Sequence, residues 1–301
     1  MSLVYTLPVL LLVVAALSFT SCARDLHIER GHVFAEPTGE RLKLDVYEKP
    51  QPEKTLRPGI IVIHGGGWVI GPRTQQAWYC RQFARNGYVV MTVDYRMMPK
   101  YPFPNCLHDC KAAVRWMRLH ADEYGIDPNR IVAFGASAGG HLAAFLAATN
   151  PDDGFEGTEN PGPATDIRAA ISLYGAVDLT KYYDARKSSW FRKRAGKFMC
   201  KFVGDATAKE GQDPFEAASP INYAKPGMSP VHLTHGTRDY FVSYRQSRDF
   251  YLRLQELGVP TRLLTYPNRN HGFDYIHWKE RREIFADMLA FLEEHAGQSS
   301  E

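Results

Sequence analysis

Ser137 has the sequence surroundings of a nucleophilic serine. It is the centre of Gly-Ala-Ser-Ala-Gly at residues 135–139, which follows the apolar run 131–134 and opens a helical stretch over residues 139–149. A serine in a sharp strand-to-helix turn needs small neighbours, and its hydroxyl then projects above the sheet at the positive end of the helix. The alternative is a small-residue turn that carries an incidental serine. The context favours covalent catalysis by Ser137.

A glycine-rich segment supplies matching hydrogen-bond donors. His-Gly-Gly-Gly-Trp occupies residues 64–68, directly after another apolar run. Glycines let the backbone approach a substrate closely and aim several N–H groups at one point. We expect the N–H groups of Gly66, Gly67 and Ala138 to bind a carbonyl oxygen that becomes negative during attack, with His64 bracing the loop. A phosphate-binding loop is the competing interpretation, but the chain lacks a trailing Lys-Ser/Thr and the G-x-G-x-x-G spacing there.

A base and an acid must follow such a serine, in the order Ser, Asp or Glu, His. His271 lies in Asn-His-Gly-Phe (270–273), between the last apolar run and the last helical stretch. Asp239 lies in the loop after the preceding apolar run, and Asp178 and Asp274 are rival acids. A buried carboxylate would hold the imidazole in one tautomer and stabilise its cation. We therefore predict Asp239 as the acid and His271 as the base.

The elements that would position these residues alternate along the chain. Residues 26–34 and 42–47 alternate apolar and polar side chains, as half-exposed antiparallel strands do. Continuous apolar runs, typical of strands buried on both faces, occupy residues 60–63, 88–93, 131–134, 169–173, 231–233 and 262–266. Helical stretches occupy residues 75–86, 105–124, 139–149, 243–257 and 277–295. This order predicts an α/β fold with a mostly parallel sheet of about eight strands and helices on both faces.

An insertion at about residues 179–219 breaks this rhythm. It is rich in aromatic and basic residues, and an excursion at this place in an α/β enzyme is often a cap over the site. Near the expected site, Trp68, Tyr174 and Phe273 are predicted to contact substrate; the alternative is that each packs into the core. The basic residues indicate either a surface for acidic polysaccharide or phospholipid, or a solvated cap.

Six motifs together resemble one family. They occupy residues 64–68, 94–96, 127–131, 135–142, 235–239 and 270–273. In this order the chain resembles the α/β-hydrolases of the bacterial hormone-sensitive-lipase-like esterases, in particular the branch of feruloyl and acetyl-xylan esterases. The resemblance implies an α/β-hydrolase fold and ester hydrolysis through an acyl-enzyme without a cofactor, with Ser137, Asp239 and His271 as the triad. It also maps the oxyanion loop onto Gly66 and Gly67. Many members have Pro-Leu after the acid, where this chain has Tyr-Phe-Val.

The function that follows is a serine carboxylesterase acting on short-acyl or hydroxycinnamoyl esters, either small molecules or side groups of plant polysaccharide. An arylformamidase-type amide hydrolase is the alternative within the same machinery. A binding protein that has lost catalysis is a third reading, disfavoured by the intact candidate triad. With 36 Lys plus Arg against 33 Asp plus Glu, the net charge of +3 gives no case for nucleic-acid binding.

The first 22 residues predict export. They carry no charged side chain, and residues 7–17 have the length of a signal-peptide core. Cleavage before a lipidated Cys22 would leave a periplasmic or outer-membrane-anchored lipoprotein, with a single domain over residues 24–301. Ser21 and Ala23 also satisfy the small-x-small rule for ordinary cleavage and secretion. An uncleaved anchor is the remaining alternative.

The cysteines beyond Cys22 are Cys80, Cys106, Cys110 and Cys200. Cys106 and Cys110 are four residues apart on one helical face, which predicts buried thiols. An exported location permits a disulfide, but sequence does not choose a pairing. No second pair of Cys or His has ligand spacing, so we predict no metal site.

Overall fold

A mostly parallel sheet forms the centre of the protein. The computed structural model describes residues 25–51, 55–181, 190–204 and 211–297. Eight strands form one sheet in the order β1-β2-β4-β3-β5-β6-β7-β8. Their bounds are β1 His27–Ala35, β2 Leu42–Glu48, β3 Arg57–Ile63, β4 Val89–Val93, β5 Ile126–Ala136, β6 Ala169–Leu173, β7 Val231–Gly236 and β8 Thr261–Tyr266. The predicted α/β architecture is confirmed.

The direction of the strands follows their sequence patterns. β1 pairs antiparallel with β2, and β2 pairs antiparallel with β4. The other five pairings, from β4 through β3 and β5 to β8, are parallel. The parallel strands are those with continuous apolar runs, since helices cover both of their faces. Their carboxyl ends meet at one edge, where ligands bind in open α/β sheets.

Helices pack on the two faces of the sheet. They are α1 Ala77–Arg85, α2 Asn105–Leu119, α3 Ala121–Tyr124, α4 Ala138–Ala148, α5 Trp190–Val203, α6 Pro214–Ala217, α7 Tyr244–Glu256 and α8 Trp278–Ala296. In β3, Ile61 and Ile63 join the apolar cluster that includes α2, α4 and α7. Ile60 and Val62 join the cluster that includes α1 and α8. The alternation of side chains along a strand thus builds two core layers from one apolar run.

One predicted helix is divided in two. Residues 105–124 form α2 and α3, because the backbone leaves the helical conformation at His120 (φ −106°, ψ 15°). The His120 ring stacks on Trp116 with centroids 3.7 Å apart, and its Nδ1 lies 2.8 Å from the Trp116 carbonyl oxygen. The Trp116 carbonyl oxygen at the end of α2 therefore accepts from both the backbone N–H and the side chain of His120.

Several predictions concern residues outside the described ranges. The predicted signal peptide, with Cys22, lies there, as do Arg186 and Lys187 of the basic insertion. In the part of the chain that is described, no helix is both long and apolar enough to cross a membrane. Cys80, Cys106 and Cys110 are buried free thiols, and the burial of Cys106 and Cys110 agrees with their helical spacing.

Candidate active site

Ser137 occupies a strained turn between β5 and α4. Its backbone has φ 57° and ψ −118°, and the residue precedes the first turn of α4. The turn is tight on both sides: a Cβ on Gly135 would lie 2.1 Å from the Gly139 carbonyl oxygen, and a Cβ on Gly139 would lie 2.1 Å from that of Ile63. Glycine is therefore required at both positions, because a side chain there would clash with backbone atoms. The tight turn presents the serine hydroxyl at the edge of the sheet.

A chain of hydrogen bonds joins the three predicted residues, although they come from three separate loops. Ser137 Oγ lies 2.8 Å from His271 Nε2, and His271 Nδ1 lies 2.7 Å from Asp239 Oδ2. The parallel strands β5 and β7 end at the same edge as the loop after β8, which brings these residues together. Nδ1 donates to the carboxylate, so the lone pair of Nε2 faces the serine hydroxyl. This lone pair can accept the proton of the serine hydroxyl.

Asp239 is held as a carboxylate by four donors. Oδ1 accepts hydrogen bonds from the backbone N–H groups of Phe241 and Val242, each at 2.9 Å. Oδ2 accepts from His271, and from His235 at 3.1 Å. Burial favours the neutral acid, but the hydrogen bonds from His235 and His271 outweigh it and lower the pKa of Asp239 to about 2. The group is therefore ionised at neutral pH.

The two rival acids lie elsewhere. Asp178 Oδ1 accepts from the Thr180 hydroxyl, and its Oδ2 lies 3.5 Å from Lys181 Nζ. Asp274 is buried and accepts from the hydroxyls of Tyr79 at 3.0 Å and Tyr174 at 2.7 Å. Burial raises the pKa of Asp274 despite those two donors. The structure therefore brings only Asp239, of the three candidates, against the ring of His271.

The glycine-rich loop lines the same cavity as Ser137. Gly66 has φ 118°, and a Cβ on it would lie 1.8 Å from the Ile70 carbonyl oxygen, so this position needs glycine. Among the described residues, no acceptor bonds the N–H groups of Gly66, Gly67 or Ala138. All three residues line the cavity above Ser137. Such a group of free donors can bind a developing oxyanion.

His64 and Gln75 support this loop. His64 Nδ1 donates to the Gly65 carbonyl oxygen at 2.8 Å, and its ring stacks on Tyr95 with centroids 4.3 Å apart. Burial lowers the pKa of His64, which keeps the ring neutral in this support. The Gln75 carboxamide oxygen accepts from the Gly65 N–H at 2.8 Å. The position of His64 agrees with its predicted bracing role, whereas no motif pointed to Gln75.

The cavity above Ser137 has a volume of about 420 Å³. This is within the range of small-molecule sites. Beyond Ser137 and His271, its large side chains are mainly apolar or aromatic: Trp68, Tyr174, Phe198, Met199, Phe241, Val242 and Tyr275. Phe198 and Met199 come from α5, within the predicted insertion. Among the described residues, no group of three or more His, Cys, Asp or Glu could hold a metal ion.

Of the three residues predicted to contact substrate, two line the cavity and one does not. Trp68 and Tyr174 line the cavity, and the Tyr174 ring meets His271 edge-on at a centroid distance of 4.7 Å. The prediction for Phe273 is wrong. Gly272, with φ 66°, starts a tight turn that directs Phe273 into the core, where it packs on Tyr266 and is 2 % exposed. Phe198 and Met199 were missed because a distant insertion brings them to the site.

The strand order, the serine turn and the Ser-His-Asp arrangement define this protein as an α/β-hydrolase in fold. Residues 44–254 match the family model described as BD-FAE. Because that match covers most of the chain, the protein belongs to the BD-FAE family. The resemblance to hormone-sensitive-lipase-like esterases is confirmed.

Named relatives are esterases. The chain is 31 % identical to Esterase LipC of Mycobacterium tuberculosis over 77 % of its length, and 32 % identical to Esterase LipQ of the same organism over 85 %. These alignments cover 57 % and 60 % of the two relatives, so the chain spans about three fifths of their length. The solved structure of Thermogutta terrifontis Est2 with butyrate bound is similar, with a TM-score of 0.73 and 27 % identity. That alignment covers 92 % of this chain and 97 % of Est2.

Proposed function

We propose that this protein is a serine carboxylesterase that hydrolyses short-acyl or hydroxycinnamoyl esters through an acyl-enzyme. The observation that carries the proposal is the continuous chain from Ser137 Oγ through His271 to the buried carboxylate of Asp239. It opens into a mainly apolar cavity lined by free backbone donors. The names of the relatives support ester hydrolysis as the reaction class.

Acylation begins at the serine hydroxyl. His271 Nε2 takes the proton as Ser137 Oγ forms a bond to the ester carbonyl carbon, and the carbonyl oxygen becomes negative. The N–H groups of Gly66, Gly67 and Ala138 bind that oxygen. The Asp239 carboxylate stabilises the imidazolium, which then gives its proton to the leaving alcohol oxygen as the C–O bond breaks.

Deacylation repeats the same steps with water. His271 Nε2 takes a proton from a water molecule as the water oxygen attacks the acyl carbonyl. The same backbone donors hold the second oxyanion, and the proton returns to Ser137 Oγ as the acid is released. Every proton that His271 accepts is returned within one cycle, so the chain's own residues are sufficient for this mechanism.

The cavity lining supports an apolar acyl group. Phe198, Met199 and Phe241 surround the space above Ser137, and among the described residues few polar side chains other than Gln75 are available to hold a strongly polar acyl chain. Aromatic walls also suit a planar hydroxycinnamoyl group, which can stack on them. Butyrate in the related Est2 structure is consistent with a short acyl chain. A polysaccharide bearing such ester groups would present them at the open mouth of the site.

The test is hydrolysis by purified wild-type protein of p-nitrophenyl acetate, butyrate and octanoate, of methyl ferulate and of acetylated xylan. Ser137→Ala is the matched control, since the alanine fits the turn while removing only the nucleophile. We expect turnover of acetate, butyrate or ferulate that is lost in Ser137→Ala. No turnover of any ester by a folded protein would refute the proposal. Turnover of an N-formyl aromatic amine would then indicate the amide hydrolase, and its absence the binding protein.

We also propose that residues 1–22 direct export and that Cys22 receives a lipid anchor. The support is the uncharged apolar segment and the Ser-Cys pair at its end. The test is expression of the full chain in a Gram-negative bacterium with labelled palmitate. We expect label in the wild-type protein and none in Cys22→Ala. A protein that is processed and released without label would indicate ordinary signal cleavage, and an unprocessed one an uncleaved anchor.

A further inference from the structure

His235 is a buried residue that the mechanism above leaves without a role. It lies near the end of β7, and its side chain is fully buried between the Asp239 loop and α7. Its Nε2 lies 2.9 Å from the Val242 carbonyl oxygen and 3.1 Å from Asp239 Oδ2. Its Nδ1 lies 2.7 Å from Ser247 Oγ. Both ring nitrogens therefore have partners, and one of those partners is the predicted acid.

These partners determine which nitrogen carries a proton. The Val242 carbonyl oxygen and the Asp239 carboxylate can only accept, so His235 Nε2 must carry a hydrogen and donate it. The Ser247 hydroxyl can donate to Nδ1 and thereby hold the ring in that tautomer. In the part of the chain that the structure describes, the titratable groups against this ring are Asp239 and Tyr244, the latter at a ring-centroid distance of 6.0 Å.

We propose that His235 is a positioning residue for catalysis: it donates to Asp239 Oδ2, the oxygen that also accepts from His271, and so fixes how strongly that carboxylate holds the catalytic imidazole. The proposal rests on the esterase function. Two backbone N–H groups fix Oδ1. His235 provides the corresponding restraint on Oδ2. The negative charge of Oδ2 is then divided between two donors, His235 and His271.

Because two donors divide the charge of Oδ2, the direction of the effect on the pH dependence can be predicted. When the His235 donor is removed, Oδ2 attracts the protonated His271 ring more strongly, because less of its charge is neutralised. The acid limb of kcat/KM should then move to higher pH. At the same time the carboxylate loses one of its restraints, and kcat should fall by about tenfold, the worth of one hydrogen bond to a charged group. KM should stay unchanged, because His235 does not line the cavity.

Two substitutions separate this role from simple core packing. His235→Gln can place an N–H group where the ring Nε2 lies, whereas His235→Asn reaches only the region of Nδ1, beside Ser247. We expect His235→Gln to keep most of kcat and the wild-type pH profile. We expect His235→Asn to lose about tenfold in kcat and to show the shifted acid limb. Wild-type kinetics in both variants, or equal losses without a shift of the limb, would overturn the proposal.

A double-mutant cycle tests whether the effect passes through Asp239. In the Asp239→Asn background, adding His235→Asn should change kcat little, because the carboxylate that His235 positions is gone. A further loss as large as in the wild-type background would contradict the proposal. If His235→Asn does not fold, Ser247→Ala frees the ring of its other restraint. That variant should shift the acid limb in the same direction, and an unchanged limb would refute the positioning role.

Failure of the esterase function itself would be recognised by an inactive wild-type protein. The low-field proton NMR signal of the His271 Nδ1–H group then tests His235 without any substrate. We expect that signal to move in His235→Asn and to stay near its wild-type position in His235→Gln. An identical signal in all three proteins would overturn the proposal.

Discussion

Replacing Asp239 by asparagine would test the proposed machinery most directly. All four hydrogen-bond partners of this carboxylate are donors: the His235 and His271 rings and the backbone N–H groups of Phe241 and Val242. An asparagine must turn its own NH₂ group toward one of these two pairs. The backbone pair cannot change its protons, so the amide NH₂ is expected to face the two histidines.

That orientation reverses the tautomer of His271. Its Nδ1 would have to accept from the new amide, which moves the ring proton to Nε2 and points an N–H at Ser137 Oγ. The imidazole can then no longer accept the serine proton. The corresponding substitution in serine proteases lowers kcat by about 10⁴, which corresponds to about 5 kcal/mol of transition-state stabilisation. We expect a loss of the same order here.

The assay is kcat for p-nitrophenyl butyrate, with circular dichroism to confirm folding. Asp274→Asn and Asp178→Asn are the matched controls, because each removes a rival carboxylate that makes no hydrogen bond to His271. We expect these two variants to keep kcat within about tenfold of the wild type, since their effects would act only through packing. A fully active Asp239→Asn enzyme would refute the reasoning, and inactivity of Asp274→Asn or Asp178→Asn instead would move the acid to that residue.

Three further predictions concern the same machinery. Gly66→Ala should lower kcat by about 10²–10³ because its Cβ would meet the Ile70 carbonyl oxygen and displace an oxyanion donor. The control Gly258→Ala, at another positive φ but with open space around it, should lose stability and keep kcat. Equal kinetics in both variants would contradict the role of Gly66 in the oxyanion site. An organophosphate such as paraoxon should add one dialkylphosphoryl group to the wild-type protein and none to Ser137→Ala, as measured by mass spectrometry, and labelling of both would disprove selective activation. The lowered pKa of Asp239, about 2 against about 4 in the unfolded chain, stabilises the fold by about 2–3 kcal/mol above pH 4. That contribution should disappear as the pH falls from 4 to 2 in urea unfolding, and Asp239→Asn should show a weaker dependence; an identical dependence in the two proteins would refute the assignment.

Local patterns in the sequence were sufficient for the eight strands of the sheet. The apolar runs of β3 and β4 predict strands because burial on both faces favours apolar side chains at successive positions. The small residues around Ser137 predict the turn because any larger side chain would meet backbone. The same reasoning failed at His120, where the backbone leaves the helical conformation at a position that the periodicity does not mark.

The cavity could not be predicted in this way. Phe198 and Met199 line it from α5, more than 60 positions after Ser137 in the chain, and only packing brings them there. Phe273 shows the converse case, since it is two residues from His271 yet faces the core. Sequence distance and residue type do not determine which side of a loop faces a site.

The sequence by itself determined the fold class and selected Ser137, His271 and the glycine loop as candidates for the proposed chemistry, because each depends on local backbone geometry and on a fixed order along the chain. The order of motifs already favoured Asp239 over Asp178 and Asp274, and the tertiary structure showed that Asp239 is the one of the three that contacts His271. Only the tertiary structure brought His235 to that carboxylate and built the cavity. These are contacts between segments separated by many residues. They depend on where parallel strands end and on how loops pack above them, and no local pattern encodes either.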